Sequence, residues 1–342
     1  MPSNTDPLPQ PEGPSVSKSI YVAILLADGC SSTSVAATLE MFESANFLQR
    51  TRAGDGTFFD VCLVSPEGQP VQASGGIQLF PTAAFADDRP ADLVVVPGFL
   101  FRILELLPAL TACLPWLRQR HAEGAAVATL CTGAFVAAEA GLLDDRVATT
   151  HWYYADAFRK RYPRVRLQEH QTVTDDRGLL CSGGATAGND LLLHILQTYT
   201  DKALAREFSK KLLLDSSRTD QSPYMVTTFN RRHEDDEIHR VQDWLDRHYR
   251  DAVHVQALAG QFGFSLRHFI RRFKQATRQS PSHYLQNLRL EDAKLRLETS
   301  KMSFEQITYQ VGYEDPNSFR RLFRDRVGIS PGDYRRKFQR DR

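Results

Sequence analysis

Arg267, Arg271, Lys274 and Arg278 recur every three or four residues, the spacing that aligns side chains along one face of an α-helix. Fifty residues further on, Asn317, Arg320, Arg321 and Arg324 repeat the arrangement. A guanidinium offers a planar fork of donors that fits guanine N7 and O6 in the DNA major groove, and a lysine ammonium suits a phosphate. A different chemistry is available at Cys131, which follows the apolar run 125–130 and precedes Thr132-Gly133. A strand that turns into a helix through such a corner strains the nucleophile's backbone. It also aims helix amides at the sulfur, which predicts a thiolate.

Helices must carry the two basic faces. Gly263-Phe264-Ser265-Leu266-Arg267-His268-Phe269-Ile270-Arg271-Arg272-Phe273 is echoed by Gly312-Tyr313-Glu314-Asp315-Pro316-Asn317-Ser318-Phe319-Arg320-Arg321-Leu322-Phe323. Each copy runs on to Ser-Pro-x-x-Tyr, at Ser280 and Ser330. In each, a glycine turn separates a short helix (residues 255–260 and 304–310) from a second one, the order in which helix-turn-helix proteins send the second helix into the major groove. Leu266, Phe269, Phe273 and Ala276 share the expected buried face of the first copy, with Ser265 as N-cap. Phe319, Leu322 and Phe323 do so in the second. Arg267 and Arg271 are then expected on base edges, Ile270 against a thymine methyl, and Lys274 and Arg278 on phosphates. Asn317, Arg321 and Arg324 face outward in the second copy, with Arg320 at the flank. Residues 282–299 read as one helix packing through Leu285, Leu288, Leu295 and Leu297. About 18 residues span roughly 27 Å. That is the scale of one ~34 Å turn of DNA, so both copies can face one side of a duplex.

Upstream, apolar runs at 21–26, 59–64, 92–97 and 125–130 alternate with helical spacing at 34–49, 134–140 and 190–197. A further helical stretch, 104–121, is interrupted by Pro108 and Pro115. Continuous apolar strands alternating with helices predict a mostly parallel sheet covered on both faces, an α/β sandwich that binds small molecules at the carboxyl ends of its strands. Cys131 stands at one such end. Catalysis by its thiol needs an acid or base partner. Residues 29–38 contain no carboxylate, and Glu40 and Glu43 lie further along the helix. His151 in Thr-Thr-His-Trp is a candidate substitute, although such a histidine is more often structural. A catalytic thiol, a small-molecule pocket and a purely structural bend all stay open, with the pocket favoured. Cys62 and Cys113 read as core packing, and residues 182–189 as a glycine turn or an amide nest for an anion.

Four segments together resemble the DJ-1/PfpI superfamily, with its flavodoxin-like sandwich, over roughly residues 19–200. They are Ala128-Thr129-Leu130-Cys131-Thr132-Gly133-Ala134-Phe135, Ala138-Glu139-Ala140-Gly141-Leu142-Leu143, Thr149-Thr150-His151-Trp152 and Cys181-Ser182-Gly183-Gly184-Ala185-Thr186-Ala187-Gly188. Enzymes of that superfamily pair the elbow cysteine with an acid just after the first strand, where this chain has Ser34. The resemblance therefore implies a ligand pocket lined by Cys131, Thr132, Gly133, His151, Ser34, Gly183 and Gly184, and no enzyme. The alternatives are a thiol-dependent hydrolase or hydratase and a ligand-independent dimerisation scaffold. Residues 238–338 resemble the AraC/XylS family of regulators, an all-α double helix-turn-helix. The carriers are Arg271-Arg272-Phe273-Lys274, Ser280-Pro281-Ser282-His283-Tyr284-Leu285, Leu288-Arg289-Leu290-Glu291-Asp292-Ala293, Val311-Gly312-Tyr313, Ser318-Phe319-Arg320-Arg321-Leu322-Phe323 and Gly328-Ile329-Ser330-Pro331. Arg278 departs from the family's helix-ending glycine, which predicts a strained or extended first recognition helix. The pair of domains resembles the GlxA-type subgroup of AraC regulators. That implies a cytoplasmic transcription regulator, usually an activator, whose first domain senses a small metabolite and dimerises. Promoter DNA, RNA polymerase, an unidentified effector and a second copy are the implied partners; no cofactor or metal is implied.

Composition agrees with two parts of opposite character. A chain of 342 residues exceeds the usual single domain. From Arg231 onward, 23 Lys and Arg oppose 16 Asp and Glu, so a formal net charge of +1 divides into about +7 and about −6. Five cysteines without a CxxC pair predict reduced thiols in a cytoplasmic protein. No apolar run approaches the roughly 20 residues of a membrane span. The expected organisation is a disordered tail at 1–17, a sensor and dimerisation domain at 18–200, a linker at 201–236 and a DNA-binding domain at 237–342.

Overall fold

The computed structural model describes residues 17–52, 56–87, 89–214 and 218–339, so the tail expected at 1–17 lies outside the described residues except for Ser17. The chain divides into two compact units, Met1–Gln221 and Ser222–Arg342.

In the first unit β1 (Lys18–Leu25) leads to α1 (Ser32–Arg50) and β2 (Thr57–Ser65). A ribbon of β3 (Val71–Gln72) and β4 (Gln78–Leu79) precedes β5 (Ala83–Ala84) and β6 (Leu93–Val96). The stretch with two prolines breaks into α2 (Ile103–Leu106), a 3₁₀ turn after Pro108, and α3 (Leu114–Ala122), which has Pro115 in its first turn where no amide is needed. Then come β7 (Ala126–Thr129), α4 (Ala134–Glu139), β8 (Val147–Ala148), α5 (Ala155–Arg161), β9 (Arg166–Leu167), β10 (Val173–Asp176), β11 (Leu179–Ser182), α6 (Ala187–Tyr199) and α7 (Lys202–Lys211). Seven strands form one sheet in the order β10-β11-β7-β6-β1-β2-β5, parallel throughout except for β10 with β11. Helices cover both faces, which is why Leu93 to Val96 are four consecutive fully buried residues. From β1 the chain goes to β2 on one side and later to β6 on the other. That reversal opens a crevice at the carboxyl ends of β1 and β6.

Among the described residues, most of the linker expected at 201–236 packs on one unit or the other. Asp201 caps α7 through the amides of Ala203 and Leu204. α7 buries Leu204, Ala205 and Phe208 in the core of the first unit. Beyond it, Thr172 N donates to Thr219 O (3.1 Å) and Gln221 N to His170 O (2.6 Å), so residues 219–221 run along the edge of that unit. A helical piece at 203–214 followed by a polar run at 215–223 suggested a linker, but the burial of α7 and these bonds make 201–214 and 218–221 part of the first unit.

The second unit starts before residue 237. Phe229 packs on Tyr284 with ring centroids 4.7 Å apart, and Asn230 Nδ2 donates to Ala276 O (2.7 Å). Buried Lys294 clamps the same strap, donating to Met225 O (2.6 Å) and to both oxygens of Glu291 (3.0 Å each). Seven helices follow: α8 (Asp236–His248), α9 (Val255–Gln261), α10 (Leu266–Thr277), α11 (Pro281–Thr299), α12 (Phe304–Gln310), α13 (Pro316–Val327) and α14 (Pro331–Phe338). They build two separate cores joined by α11, which gives Tyr284 and Leu285 to one and Leu290, Ala293 and Leu297 to the other. Leu295, expected to pack, is 55% exposed, because the two cores lie on other faces of α11. No single helix among the described residues is long and apolar enough to cross a membrane.

Candidate functional site

Both basic faces are built alike. Gly263 (φ 74°) and Gly312 (φ 86°) make left-handed turns that side-chain-bearing residues resist. The turns direct α10 and α13 across α9 and α12. Phe269 and Phe273 in α10, and Phe319 and Phe323 in α13, are fully buried. Leu266, expected on the same buried face, is 39% exposed in the first turn. With the aromatic side turned inward, Arg267, Ile270, Arg271, Lys274 and Arg278 are exposed on α10, and Asn317, Arg320, Arg321 and Arg324 on α13. The side chains of Arg267, Arg271, Lys274, Arg278, Arg321 and Arg324 make no hydrogen bond or ion pair among the described residues. Free guanidinium and ammonium groups are what a phosphate or base edge can engage without first breaking a bond.

Neighbouring arginines are used differently. Arg272 chelates Asp235 at 2.7 and 2.8 Å and lies over the Phe264 ring, tying α10 to the start of α8. Arg320, expected beside the DNA-facing set, pairs with Glu305 of α12 at 2.5 Å and lies 5.4 Å from the Phe304 ring centre. Arg278 neither extends α10 nor disrupts it. It takes φ 66° and donates its amide to Lys274 O (2.9 Å), as Gly328 does to Arg324 O (2.9 Å) at the end of α13. The expected strain is confined to one residue held left-handed. Ser265 occupies the N-cap of α10 but makes no side-chain capping bond, whereas Asp315 accepts from Asn317 N (3.0 Å) and Ser318 N (3.1 Å).

The Cys131 corner sits at the carboxyl ends of β7 and β11, beside the β1–β6 crevice. Cys131 takes φ 56°, a left-handed conformation that costs free energy for a residue with a Cβ. Its amide donates to Ser182 Oγ (3.2 Å), and its carbonyl accepts from Thr150 Oγ1 (3.0 Å). Thr132 Oγ1 accepts from Phe99 N (2.8 Å). A Cβ on Gly133 would lie 2.6 Å from the carbonyl oxygens of both Val96 and Pro97, so only glycine lets the turn press onto β6. Ser34 lies in the first turn of α1, which Ser31 caps. Its hydroxyl and the Cys131 Cβ stand 3.5 and 3.4 Å from the position a Gly98 Cβ would take. His151 Nε2 lies 3.7 Å from the corresponding position on Gly184. Its Nδ1 accepts from Tyr153 N (3.1 Å), which leaves the proton of the neutral ring on Nε2. Burial holds its pKa below the ordinary histidine value.

The expected thiolate is not what this environment favours. Cys131 is 6% exposed, and burial pushes its pKa up to about 11 against the opposing hydrogen bonds from Thr132. α4 spans only Ala134 to Glu139, so its dipole is short and desolvation wins. Cys113 is buried as expected; Cys62 packs against the rim of the core, half-buried, with its Sγ 3.1 Å from Thr82 Oγ1.

Gln221 was invisible in the sequence. It is buried, its Oε1 accepts from Gly184 N (3.0 Å), and its Nε2 donates to Thr150 O (3.1 Å) and Gln171 O (2.9 Å). It thereby holds the glycine turn against the His151 loop, and a lone glutamine in a polar run leaves no periodic signal. A cleft of about 730 Å³ opens over the crevice, lined by Asp28, Gly29, Ser74, Phe99, Phe101 and Arg102 among others. None of the seven expected pocket residues lines it directly. It meets their group through Phe99, whose amide is bonded to Thr132.

Comparison with known proteins locates both halves. Residues 258–337 match the helix-turn-helix domain model and residues 20–198 the DJ-1/PfpI family model. The chain is 31% identical to the HTH-type transcriptional regulator CdhR of Pseudomonas aeruginosa, over 80% of this chain and 80% of that protein. It is 26% identical to GbdR of the same species (92% and 83%) and 26% identical to GlxA of Rhizobium meliloti (65% and 68%). A proposed transcriptional regulator from Vibrio parahaemolyticus superposes with a TM-score of 0.51 at 25% identity, over 58% of this chain and 100% of that one. A THiJ/PfpI family protein from Pseudomonas syringae shares the fold with a TM-score of 0.50 at 20% identity, over 62% and 84%.

Proposed function

Because the chain belongs to the AraC-type helix-turn-helix regulators that carry a DJ-1/PfpI domain, we propose that it reads promoter DNA with α10 and α13 under control of a small metabolite bound by the first unit. The observation that carries this reading is the repeated face of unpaired cations on two helices joined by α11. Arg267, Arg271 and Arg321 take base edges, Lys274, Arg278 and Arg324 take phosphates, and Ile270 meets a thymine methyl. The effector site is the crevice at the β1–β6 reversal, between the cleft and the Cys131 corner. A buried, protonated thiol suits binding rather than turnover. Effector binding shifts the populations of two arrangements of a dimer, and with them promoter geometry and contact with RNA polymerase, in the activating sense and in the cytoplasm.

The test uses the full chain and duplexes selected from a random library. Arg271→Ala and Arg321→Ala should each weaken binding to the selected site by about 1–3 kcal/mol. If neither does, the recognition-helix assignment is wrong. Thermal stability against a metabolite library, with Cys131→Ala alongside, tests the sensor. A compound that raises the melting temperature unchanged supports the reading, and one consumed only when Cys131 is present replaces it with an enzyme.

A further inference from the structure

Asn317 and Arg320 both lie on the exposed face of α13, but their side chains are not independent. Arg320 Nη1 donates to Asn317 Oδ1 (3.3 Å), Arg320 Nη2 donates to Glu305 Oε1 (2.5 Å), and the guanidinium lies over Phe304. Glu305 itself stays ionised: backbone amide donation at the start of α12, together with Arg320 and Ser303, holds its carboxyl below the usual range. Glu305 and Phe304 are the first two residues of α12, whose capping box of Ser303 and Gln306 fixes their position. Arg320 is therefore held on α12 by Glu305 and the Phe304 ring while its second arm reaches Asn317. In the other copy the position equivalent to Arg320 is Ile270, which makes no such link.

We infer that Arg320 is a positioning residue, which orients the Asn317 amide so that the second helix-turn-helix prefers a guanine and disfavours an adenine at the base facing Asn317. Asparagine reads adenine by accepting from N6–H with its oxygen while donating to N7 with its nitrogen. Here one lone pair of Oδ1 is already taken by a cation. That leaves the Nδ2 amino group as the outward donor, and guanine O6 and N7 are both acceptors. The adjacent guanidinium adds to the preference, since its charge attracts guanine O6 and repels the adenine amino group. Cytosine, which offers only an amino donor on that edge, is disfavoured as well. Glu305 and Asn317 engage two of the five N–H donors of Arg320 and hold its guanidinium toward α12, so its role here is to position Asn317 rather than to grip a phosphate.

This rests on the DNA-binding reading, and the experiment separates the two. The full chain is bound to its library-selected duplex and to the three variants at each position of the second half-site, at several salt concentrations. Arg320→Ala, Glu305→Gln and Arg321→Ala are measured beside the wild type. Arg321→Ala should lose roughly 5- to 150-fold on the selected duplex and relax the preference at the base it reads. Failure of the wild-type chain to select any duplex rejects the DNA reading itself, and failure of Arg321→Ala to weaken binding rejects α13 as a recognition helix. With Arg321→Ala behaving as expected, Arg320→Ala should raise binding to adenine relative to guanine at one position about tenfold, a fraction of one bidentate pair's discrimination. Its salt dependence should be that of the wild type. Glu305→Gln should move the same preference in the same direction by loosening Arg320. The inference is overturned if Arg320→Ala weakens all sequences alike and lowers the salt slope by about 0.9, the mark of one lost phosphate contact. It is overturned equally if the base preference is unchanged.

Discussion

At single residues, burial decides between chemistries that sequence leaves open. Cys131 has the type, the corner and the strained φ of a nucleophile, yet it is nearly buried and its pKa is pushed up to about 11. The folded state therefore keeps its proton while the unfolded chain loses it above about 8.5. The associated stability is intact below that value and is lost as pH rises toward 11, an effect of about 2 kcal/mol by pH 10. Urea unfolding at pH 8 and pH 10 should show the wild type losing more than Cys131→Ala by about that amount. Equal losses would mean that the thiol is solvated. In native protein at pH 8, an alkylating reagent should reach half-buried Cys62 before Cys131, as read by peptide mass. The seven residues expected in the pocket were picked out because the motifs around them are short and local, yet none of them lines the cleft directly. Gln221, which joins their surroundings from 37 positions beyond Gly184, was not picked out.

Among elements, the two recognition helices show how one pattern can be stabilised by different means. Asp315 satisfies two amides at the start of α13, and its carboxyl is held below the usual range chiefly by the Ser318 hydroxyl and the amides of Asn317 and Ser318. Ser265 makes no such bond at α10. Asp315→Ala should thus lower the urea unfolding midpoint clearly more than Ser265→Ala does. Equal costs would place the cap of α10 in the side chain after all. Helix bounds were readable to within a residue or two, since the glycine turns and the Phe spacing mark them. The strap 222–235 was not readable. Its anchors at Phe229, Asn230 and Met225 are isolated contacts with α10 and α11, and a polar run with isolated anchors has no period.

For the molecule as a whole, the charge division matters most. The excess of positive charge after Arg231 belongs to the unit that carries both basic faces, where it attracts a polyanion and makes binding fall with salt. Within that unit α11, with 19 residues, sets α10 and α13 apart by a rigid element about 28 Å long. The two half-sites should accordingly lie about one helical turn apart. Inserting about 5 base pairs between them turns one half-site to the far side of the duplex, and affinity should fall by at least tenfold. A binding curve indifferent to that insertion would show that only one helix engages DNA.

Local patterning was enough to establish the parallel sandwich, the doubled helix-turn-helix and the basic faces, because periodicity, glycine turns and Ser-Pro starts act through neighbours in sequence. Three matters needed the folded chain: the protonation of Cys131, the inclusion of 201–214 and 218–235 in the two units, and the division of the arginines into free and tethered ones. Each depends on groups distant in sequence. Desolvation is a sum over everything packed around a thiol, a strap is defined by what it lies upon, and Arg320 is set apart from Arg321 chiefly by Glu305, fifteen residues earlier on another helix.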